Sequence, residues 1–459
     1  MMGTAISRRE AIRRTLVSAA GLGLANNPAI RAWAAIPASK PTGKAKSVIQ
    51  IWMWGGPSHL DTFDPKPEAG NDYCGPLNKP IESNVRGIRI CELLPLLAKQ
   101  ADKYSIIRGM THGSSAHETA TYMVQTGRKA GERLVYPCTG AVVSLLKGYD
   151  GGYQGQIPPY IVLTEPPGRF DEAGFLGIRY KPFTTGGDPS QERFAVEGIV
   201  AEGITDQQQR DRRELLGKLD TLPHSLPENP GLQALVRSRD QAYDMIVGEG
   251  AKVFDLANEK DAVRDRYGRG TQPANAPAAN TGPRTKFGQS CLVARRLVER
   301  GVPYVTINYP GWDTHKDNFT QLQRRLPEFD KGVAALIQDL SEHGLLDSTI
   351  VWCGGEFGRT PKIQWESPFN GGRDHFGNAF CHMVAGGGFK GGQVVGATDA
   401  KGEQVKDRPV YPSDLIGSIY QLLGIDPGAS LPNPQGLDAR VMPTPADGVP
   451  SAGLLKEII

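Results

Sequence analysis

The chain has 459 residues, of which 39% are hydrophobic, 22% charged and 7% aromatic, and this composition excludes wholesale disorder and a small disulfide scaffold. The formal net charge is only +3. Because residues 1–35 carry five arginines and one glutamate, the remaining chain is close to neutral and lacks the basic surplus of proteins that bind nucleic acid or anionic lipid.

The first 35 residues have the organisation of an export signal. The run SRRE at 7–10 precedes an apolar stretch at 16–25, and Ala32-Trp33-Ala34 resembles a small-residue cleavage site. We therefore predict a twin-arginine-type signal and an exported, periplasmic or extracellular mature chain. A short membrane anchor or a cytosolic helix are the alternatives. No later run approaches 18 apolar residues, so the mature chain is expected to contain no integral membrane span.

Apolar runs predict the sheet. Five runs are typical of buried strands, with amphipathic helices between them, and this alternation predicts a three-layer α/β/α sandwich with a mostly parallel central sheet. The strands are expected at 48–54, 104–110, 160–163, 302–308 and 349–353, and the helices at 92–101, 115–125 and 322–343.

Residues 186–285 differ from the rest because polar helical patterns dominate there, as in 206–220 and 232–261. We expect a helical insertion or cap within a single domain that spans 36–459. The sequence GTQPANAPAANTGP, which ends at residue 283, predicts a flexible loop over 268–283.

The six cysteines include no C-x-x-C pair, which excludes zinc-finger and thioredoxin-like classes. An oxidising compartment permits disulfides, and Cys74 and Cys91 are the closest pair in sequence. Cys353 lies in an apolar run and is expected to be a small buried residue.

Polar clusters follow the strands, at the positions where ligand sites of open α/β sheets form. The clusters span 55–67, 111–118, 311–318, 354–360 and 372–376. Carboxylates and imidazoles in this arrangement suit a divalent cation, whose identity as Ca, Zn or Mg stays open. The candidate ligands are Asp61, Asp313, His315, Glu356 and His375. The alternatives are a capping role for Asp313 and an ion pair between Glu356 and Arg359.

Several motifs resemble one known group of proteins. They are GGPSHLDTFDPKP (55–67), the helix that ends in Thr126-Gly127-Arg128, GWDTH (311–315), GEFGRTP (355–361) and GRDHFGNAF (372–380). The chain resembles an exported bacterial family known only as a domain of unknown function, within the alkaline-phosphatase-like superfamily that includes sulfatases and phosphodiesterases. The resemblance implies the fold of that superfamily and a metal-dependent hydrolytic site.

The resemblance also implies roles for individual residues. The superfamily's nucleophile position corresponds to His117, with Ser114 and Ser115 as nearby alternatives, and His117 also fits a general acid or a metal ligand. Arg128 and Arg359 are the implied anion clamps, although Arg128 also fits a structural contact at a helix end.

The chain departs from the superfamily pattern where a Ser-Asp-His-Gly is expected after the strand at 349–353. Here the sequence is Gly-Glu-Phe-Gly at 355–358, and Phe357 has no ligand atom. We therefore expect one metal ion rather than two.

Two functions follow as expectations. The first is an exported metal-dependent hydrolase of sulfate or phosphate esters, acting on a small-molecule or glycan ester. The second is a non-catalytic envelope protein of the same fold that binds a sulfated or phosphorylated glycan or a protein partner. Nucleic acid is not an expected partner.

Overall fold

The computed structural model describes residues 43–165, 172–190, 205–219, 236, 249–268 and 284–459. The export signal expected over 1–35 and the loop expected over 268–283, except Gly268, lie outside the described residues. So does most of the insertion expected over 186–285. No helix in the described part of the chain has the length and apolar character that a membrane crossing requires.

Eight described strands form the central sheet. They are β1 (Ser47–Trp52), β2 (Tyr104–Met110), β3 (Tyr160–Leu163), β4 (Phe183–Thr184), β5 (Tyr304–Asn308), β6 (Thr349–Gly354), β7 (Phe380–Ala385) and β8 (Val394–Val395). Their order across the sheet is β8-β2-β7-β6-β1-β5-β3-β4. Strand β7 is antiparallel to both neighbours, whereas the other pairings are parallel.

Five longer helices accompany the sheet: α1 (His117–Thr126), α2 (Asp206–Leu219), α3 (Arg284–Glu299), α4 (Asn318–Glu342) and α5 (Pro412–Leu422). Short α-helices span Asn71–Cys74, Pro95–Ala98, Thr139–Val143, Glu249–Lys252 and Asp261–Arg266. Three small antiparallel pairs join Gly358–Arg359 to His375–Phe376, Ile81–Glu82 to Arg89–Ile90, and Ala397–Thr398 to Val405–Asp407.

The side chains of each strand alternate between two hydrophobic cores, as the two-residue period of a strand requires. In β1, Ile49 and Ile51 pack in the core that includes α3 and α4. Val48 and Trp52 pack in the core that includes α1 and α5. Both faces of the sheet are thus covered, which confirms the α/β/α sandwich and explains why its strands are continuous apolar runs.

Three details differ from the expectations or extend them. The helix expected over 92–101 is a single turn, Pro95–Ala98, and it begins only at Pro95 because the residue before a proline is disfavoured in the helical region. Strand β7 was not predicted. All six cysteines are buried and none forms a disulfide, so Cys74 and Cys91 are not bridged, whereas the expected burial of Cys353 in β6 is confirmed.

The sheet order brings three polar loops together. Strands β6, β1 and β5 are adjacent and parallel, so the loops that follow them leave the same edge of the sheet. Helix α1 begins at His117, after β2. It ends at Gly127, which adopts φ 68° and lies against Ser413 of α5, so α5 supports the helix that carries His117.

Residues 450–459, which we call the C-terminal segment, are fastened to α5. The buried Asp414 carboxylate accepts hydrogen bonds from the Ser451 hydroxyl and from the N–H groups of Ala452 (3.0 Å) and Gly453 (3.1 Å). Leu455 and Ile458 have no exposed surface. The segment therefore closes one side of the core beneath α5.

Replacing Asp414 with alanine should lower the free energy of unfolding by about 3 kcal/mol, since a buried carboxylate with several donors is lost and each donor is left unsatisfied. Ser451→Ala removes one of these donors and should cost about 1 kcal/mol. Urea unfolding followed by circular dichroism measures both. A loss below about 0.5 kcal/mol in Asp414→Ala would show that Asp414 does not hold the C-terminal segment.

Candidate metal centre

Three histidines and one aspartate converge beyond the carboxyl edge of the sheet. The Asp313 Oδ1 atom lies 3.1 Å from the Nε2 atoms of both His315 and His375, and these two nitrogens are 2.9 Å apart. The Nε2 of His117 lies 3.4 Å from the other Asp313 oxygen. Ligand atoms of His117, Asp313 and His375 all lie within 4.8 Å of one another.

Each of the three imidazoles uses its Nδ1 atom to contact an oxygen outside this convergence. The acceptors are Glu356 Oε1 for His117 (2.6 Å), Asp374 Oδ1 for His315 (2.8 Å) and the Ser115 carbonyl for His375 (2.9 Å). Carbonyl and carboxylate oxygens can only accept, so Nδ1 carries the proton. In the neutral ring Nε2 then presents its lone pair, and the three lone pairs face the Asp313 carboxylate.

The Glu356 side chain is fully buried, and hydrogen bonds hold it in place. The Gly55 N–H group donates to both of its carboxylate oxygens, at 2.9 and 3.2 Å. The His112 ring contacts its carbonyl oxygen at 2.6 Å. Glu356 thus links the loops after β1 and β6 to the first residue of α1, and Arg359 pairs with Asp313 instead.

Arg359 holds Asp313 in its anionic form. This fully buried guanidinium donates to Asp313 Oδ1 at 2.6 Å and to the carbonyl groups of Gly55, Gly56 and Arg373. Burial raises the pKa of Asp313, but the hydrogen bond and the charge of Arg359 outweigh it and lower that pKa to about 2. The carboxylate is therefore charged at any physiological pH.

The two neighbouring imidazoles have opposite pKa shifts. The hydrogen bond from His117 to Glu356 raises the pKa of His117 despite partial burial. Burial and then the charge of Arg359 lower the pKa of His375. The two rings lie in one small cluster, yet their different neighbours shift their pKa values in opposite directions.

Aromatic rings hold two of the histidines in place. The Trp54 ring stacks on His117 with centroids 5.0 Å apart and planes 12° apart. Phe357 packs against His117 at 4.9 Å and stacks on His375 at 4.6 Å. Phe357, which departs from the superfamily's metal-binding pattern, therefore supports the neighbouring imidazoles.

Four of the proposed ligands, Asp313, His315, His375 and Glu356, lie in or next to this cluster, whereas Asp61 does not join them. Both Asp61 oxygens accept hydrogen bonds from the buried Arg373 guanidinium, at 2.8 and 2.9 Å. One of them also accepts from Asn318 at 2.9 Å. The Asp61 carboxylate is therefore engaged in a buried ion pair.

Some of the residues proposed for catalysis lie in or beside the cluster, and others lie elsewhere. His117 lies in the cluster and Ser115 contacts it through its carbonyl, while the N–H of Ser114 donates to His112 Nδ1 at 3.0 Å. Arg128 instead donates to the Arg440 carbonyl at 2.6 Å and lies over the Tyr136 ring. Arg128 is therefore a structural contact next to the end of α1, outside the cluster.

The cluster also contains Asp374, Trp54 and Phe357, which the motifs did not identify as parts of it. Asp374 stands directly before His375 in the GRDHFGNAF motif, so its position was a usable signal. The ring contacts of Trp54 and Phe357 join residues far apart in sequence, and no local pattern encodes them.

The profile of a family described as "Protein of unknown function (DUF1501)" matches residues 45–450. The chain belongs to the DUF1501 family. The resemblance to a family of unknown function is thereby confirmed. No curated protein matches this DUF1501 chain in sequence.

Solved structures with a similar arrangement are distant in sequence. The lipoteichoic acid synthase LtaP from Listeria monocytogenes is 8% identical over 88% of this chain and 79% of its own, with a TM-score of 0.40. A protein in the alkaline phosphatase superfamily from Vibrio parahaemolyticus is 10% identical over 89% and 73%, with a TM-score of 0.39. The periplasmic domain of EcEptC from Escherichia coli, in complex with Zn, is 9% identical over 87% and 88%, with a TM-score of 0.36. Likeness at this level carries no conclusion about activity.

Replacing Arg359 with lysine should lower the free energy of unfolding by about 3 kcal/mol, because an ammonium group cannot reproduce the planar fork and leaves buried carbonyl oxygens unpaired. The matched control is Arg89→Lys, since Arg89 pairs with Glu68 at the surface, and this change should stay within about 0.5 kcal/mol. Urea unfolding measures the difference. A tolerated Arg359→Lys would show that charge alone suffices at this position.

Proposed function

We propose that this DUF1501 protein is an exported metal-dependent hydrolase of sulfate or phosphate esters, acting on a small-molecule or glycan ester. The observation that carries the proposal is the convergence of three anchored imidazoles on one carboxylate. The proposed ligands are His117, Asp313, His315 and His375.

The donor set fits a divalent cation. Two lone pairs that face each other at 2.9 Å, as in His315 and His375, repel unless a proton or a cation lies between them. The Nε2 atom of His117 is buried and has no hydrogen-bond partner, which is costly unless something else satisfies it. Imidazole nitrogens with one carboxylate suit zinc, whereas Ca²⁺ and Mg²⁺ prefer sets of oxygen ligands.

A cation held by these residues would supply Lewis acidity, which polarises ester oxygens and lowers the pKa of bound water. The chain's own residues orient the ligands. Arg359 donates a hydrogen bond to Asp313 and thereby fixes the position of its carboxylate. Glu356 accepts from His117 Nδ1 and thereby fixes the tautomer of that ring. Because both nitrogens of His117 face carboxylates, we assign it as a ligand. The Ser115 hydroxyl, on an exposed residue just before α1, is the proposed nucleophile if the reaction is covalent, with Ser114 as the alternative.

The arginines contribute less to anion binding in this proposal than the motifs implied. The Arg359 guanidinium donates hydrogen bonds to Asp313 and to backbone carbonyls, which occupies most of its N–H groups. Arg128 is hydrogen-bonded to the Arg440 carbonyl and paired with Asp447. With both arginines engaged, a cation held by the four proposed ligands would supply the positive charge that attracts an anionic ester.

The signal-free protein should bind about one zinc ion, and the double variant Asp313→Ala/His375→Ala should lose it because two converging donors are removed. Elemental analysis after gentle purification gives the metal content, and circular dichroism checks that the variant is folded. His343→Ala, at the partly exposed end of α4, is the matched histidine control and should keep its metal. A wild-type protein without metal affinity would contradict the proposal.

The zinc-loaded protein should hydrolyse an aryl sulfate or an aryl phosphate, and a chelator should remove the activity. Initial rates with both substrates, with and without chelator, provide the measurement. The double variant serves as the control for contaminating enzymes and should be at least about a hundredfold slower. Turnover that survives both chelation and the double substitution would not belong to this centre.

A non-catalytic role is the second candidate. It is favoured because Arg128 and Arg359 are hydrogen-bonded to other residues of the protein and because a histidine stands at the nucleophile position. The metal-bound protein would then bind a sulfated or phosphorylated glycan or a protein partner. Sulfated glycans should raise its melting temperature by mass action without being hydrolysed. Turnover in the preceding assay, or no thermal shift with any anion, would count against this role.

A further inference from the structure

We infer that Asp374, braced by Gln364, is a positioning residue that orients His315 towards the metal centre. The inference rests on the proposed function, because it concerns the ligand geometry of the same site. It assigns a role to a residue that lies beside the proposed ligands.

The contact between Asp374 and His315 fixes which ring nitrogen faces the centre. Asp374 Oδ1 lies 2.8 Å from His315 Nδ1. The carboxylate can only accept, so the proton stays on Nδ1 and Nε2 is left for a cation. Without this acceptor the other tautomer would place a proton between His315 and the Asp313 carboxylate.

His315 depends on this contact more than the other two histidines do. Its side chain is 39% exposed, compared with 22% for His117 and 21% for His375. Trp54 and Phe357 pack against the other two rings, whereas the ring contact of His315 is with His375 itself. A hydrogen bond therefore supplies the orientation that packing supplies elsewhere.

Asp374 is itself held from three directions. The Gln364 side-chain amide donates to Asp374 Oδ2 at 2.6 Å, which turns Oδ1 towards His315. The Asp374 N–H donates to the Thr360 hydroxyl at 2.9 Å, and the Thr360 N–H donates to the Asp374 carbonyl at 2.9 Å. The carboxylate is thus preorganised although it is partly exposed.

The structure allows charge and orientation to be separated by mutation. The Gln364 Oε1 atom is buried without a hydrogen-bond partner. In Asp374→Asn, the asparagine oxygen can accept from His315, and its amide can donate to Gln364 after that side chain turns over. Asp374→Asn thus removes the charge and keeps the orientation, whereas Asp374→Ala removes both.

The experiment measures zinc affinity by competition with a chelator, together with the visible absorption spectrum of the Co²⁺-substituted protein. Asp374→Ala should weaken zinc binding about a hundredfold and change the Co²⁺ spectrum, because loss of such an outer partner costs roughly 10- to 100-fold in metal affinity. Asp374→Asn should weaken binding by about tenfold or less and keep the spectrum. Asp438→Asn, at a surface carboxylate paired with Arg440, should match wild type.

The outcomes separate this inference from the proposed function. Wild-type zinc affinity and an unchanged spectrum in folded Asp374→Ala would overturn the positioning role and leave the metal centre intact. Equal losses of zinc affinity in Asp374→Asn and Asp374→Ala would overturn the claim that Asp374 acts by orienting His315 and not by its charge. Absence of zinc binding in the wild-type protein would overturn the metal centre and this inference together.

Discussion

Two fully buried guanidinium groups, those of Arg359 and Arg373, hold the functional edge of this molecule together. A buried charge is costly unless it is paired and hydrogen-bonded, and here each guanidinium is both. Arg359 joins Asp313 to the carbonyls of the loop after β1. Arg373 joins Asp61 to the carbonyls of Thr360, Pro361 and Tyr73. The loops after β1, β5 and β6 are therefore cross-linked by ionic hydrogen bonds.

This cross-linking explains how side chains far apart in sequence keep a separation of about 3 Å. The backbone of each loop is fixed by an arginine, and each imidazole is fixed by an oxygen at Nδ1. Packing adds to this for His117 and His375, since Trp54 and Phe357 cover their rings. The donors of the cluster are thus already ordered by the protein, so the proposed cation would bind with little further ordering.

The strands and the position of the site followed closely from local pattern. The five apolar runs became strands β1, β2, β3, β5 and β6, since burial on both faces leaves a continuous apolar signature. Strand β7 was not predicted although it is buried throughout, since His382 interrupts its apolar run, and its antiparallel position between β2 and β6 depends on pairing. The helix expected from residue 92 begins only at Pro95, because the residue before a proline is disfavoured in the helical region.

By itself the sequence determined the α/β class, the burial of Cys353, the strand-end location of the polar loops and the membership of a family of unknown function. Only the tertiary structure decided which acidic residues face the imidazoles. Asp61 and Asp313 follow neighbouring strands and look equivalent in sequence. In the structure Asp61 pairs with Arg373, whereas three histidines surround Asp313. The physical reason is that the use of a carboxylate depends on the nearest donor in space, which the chain order does not specify.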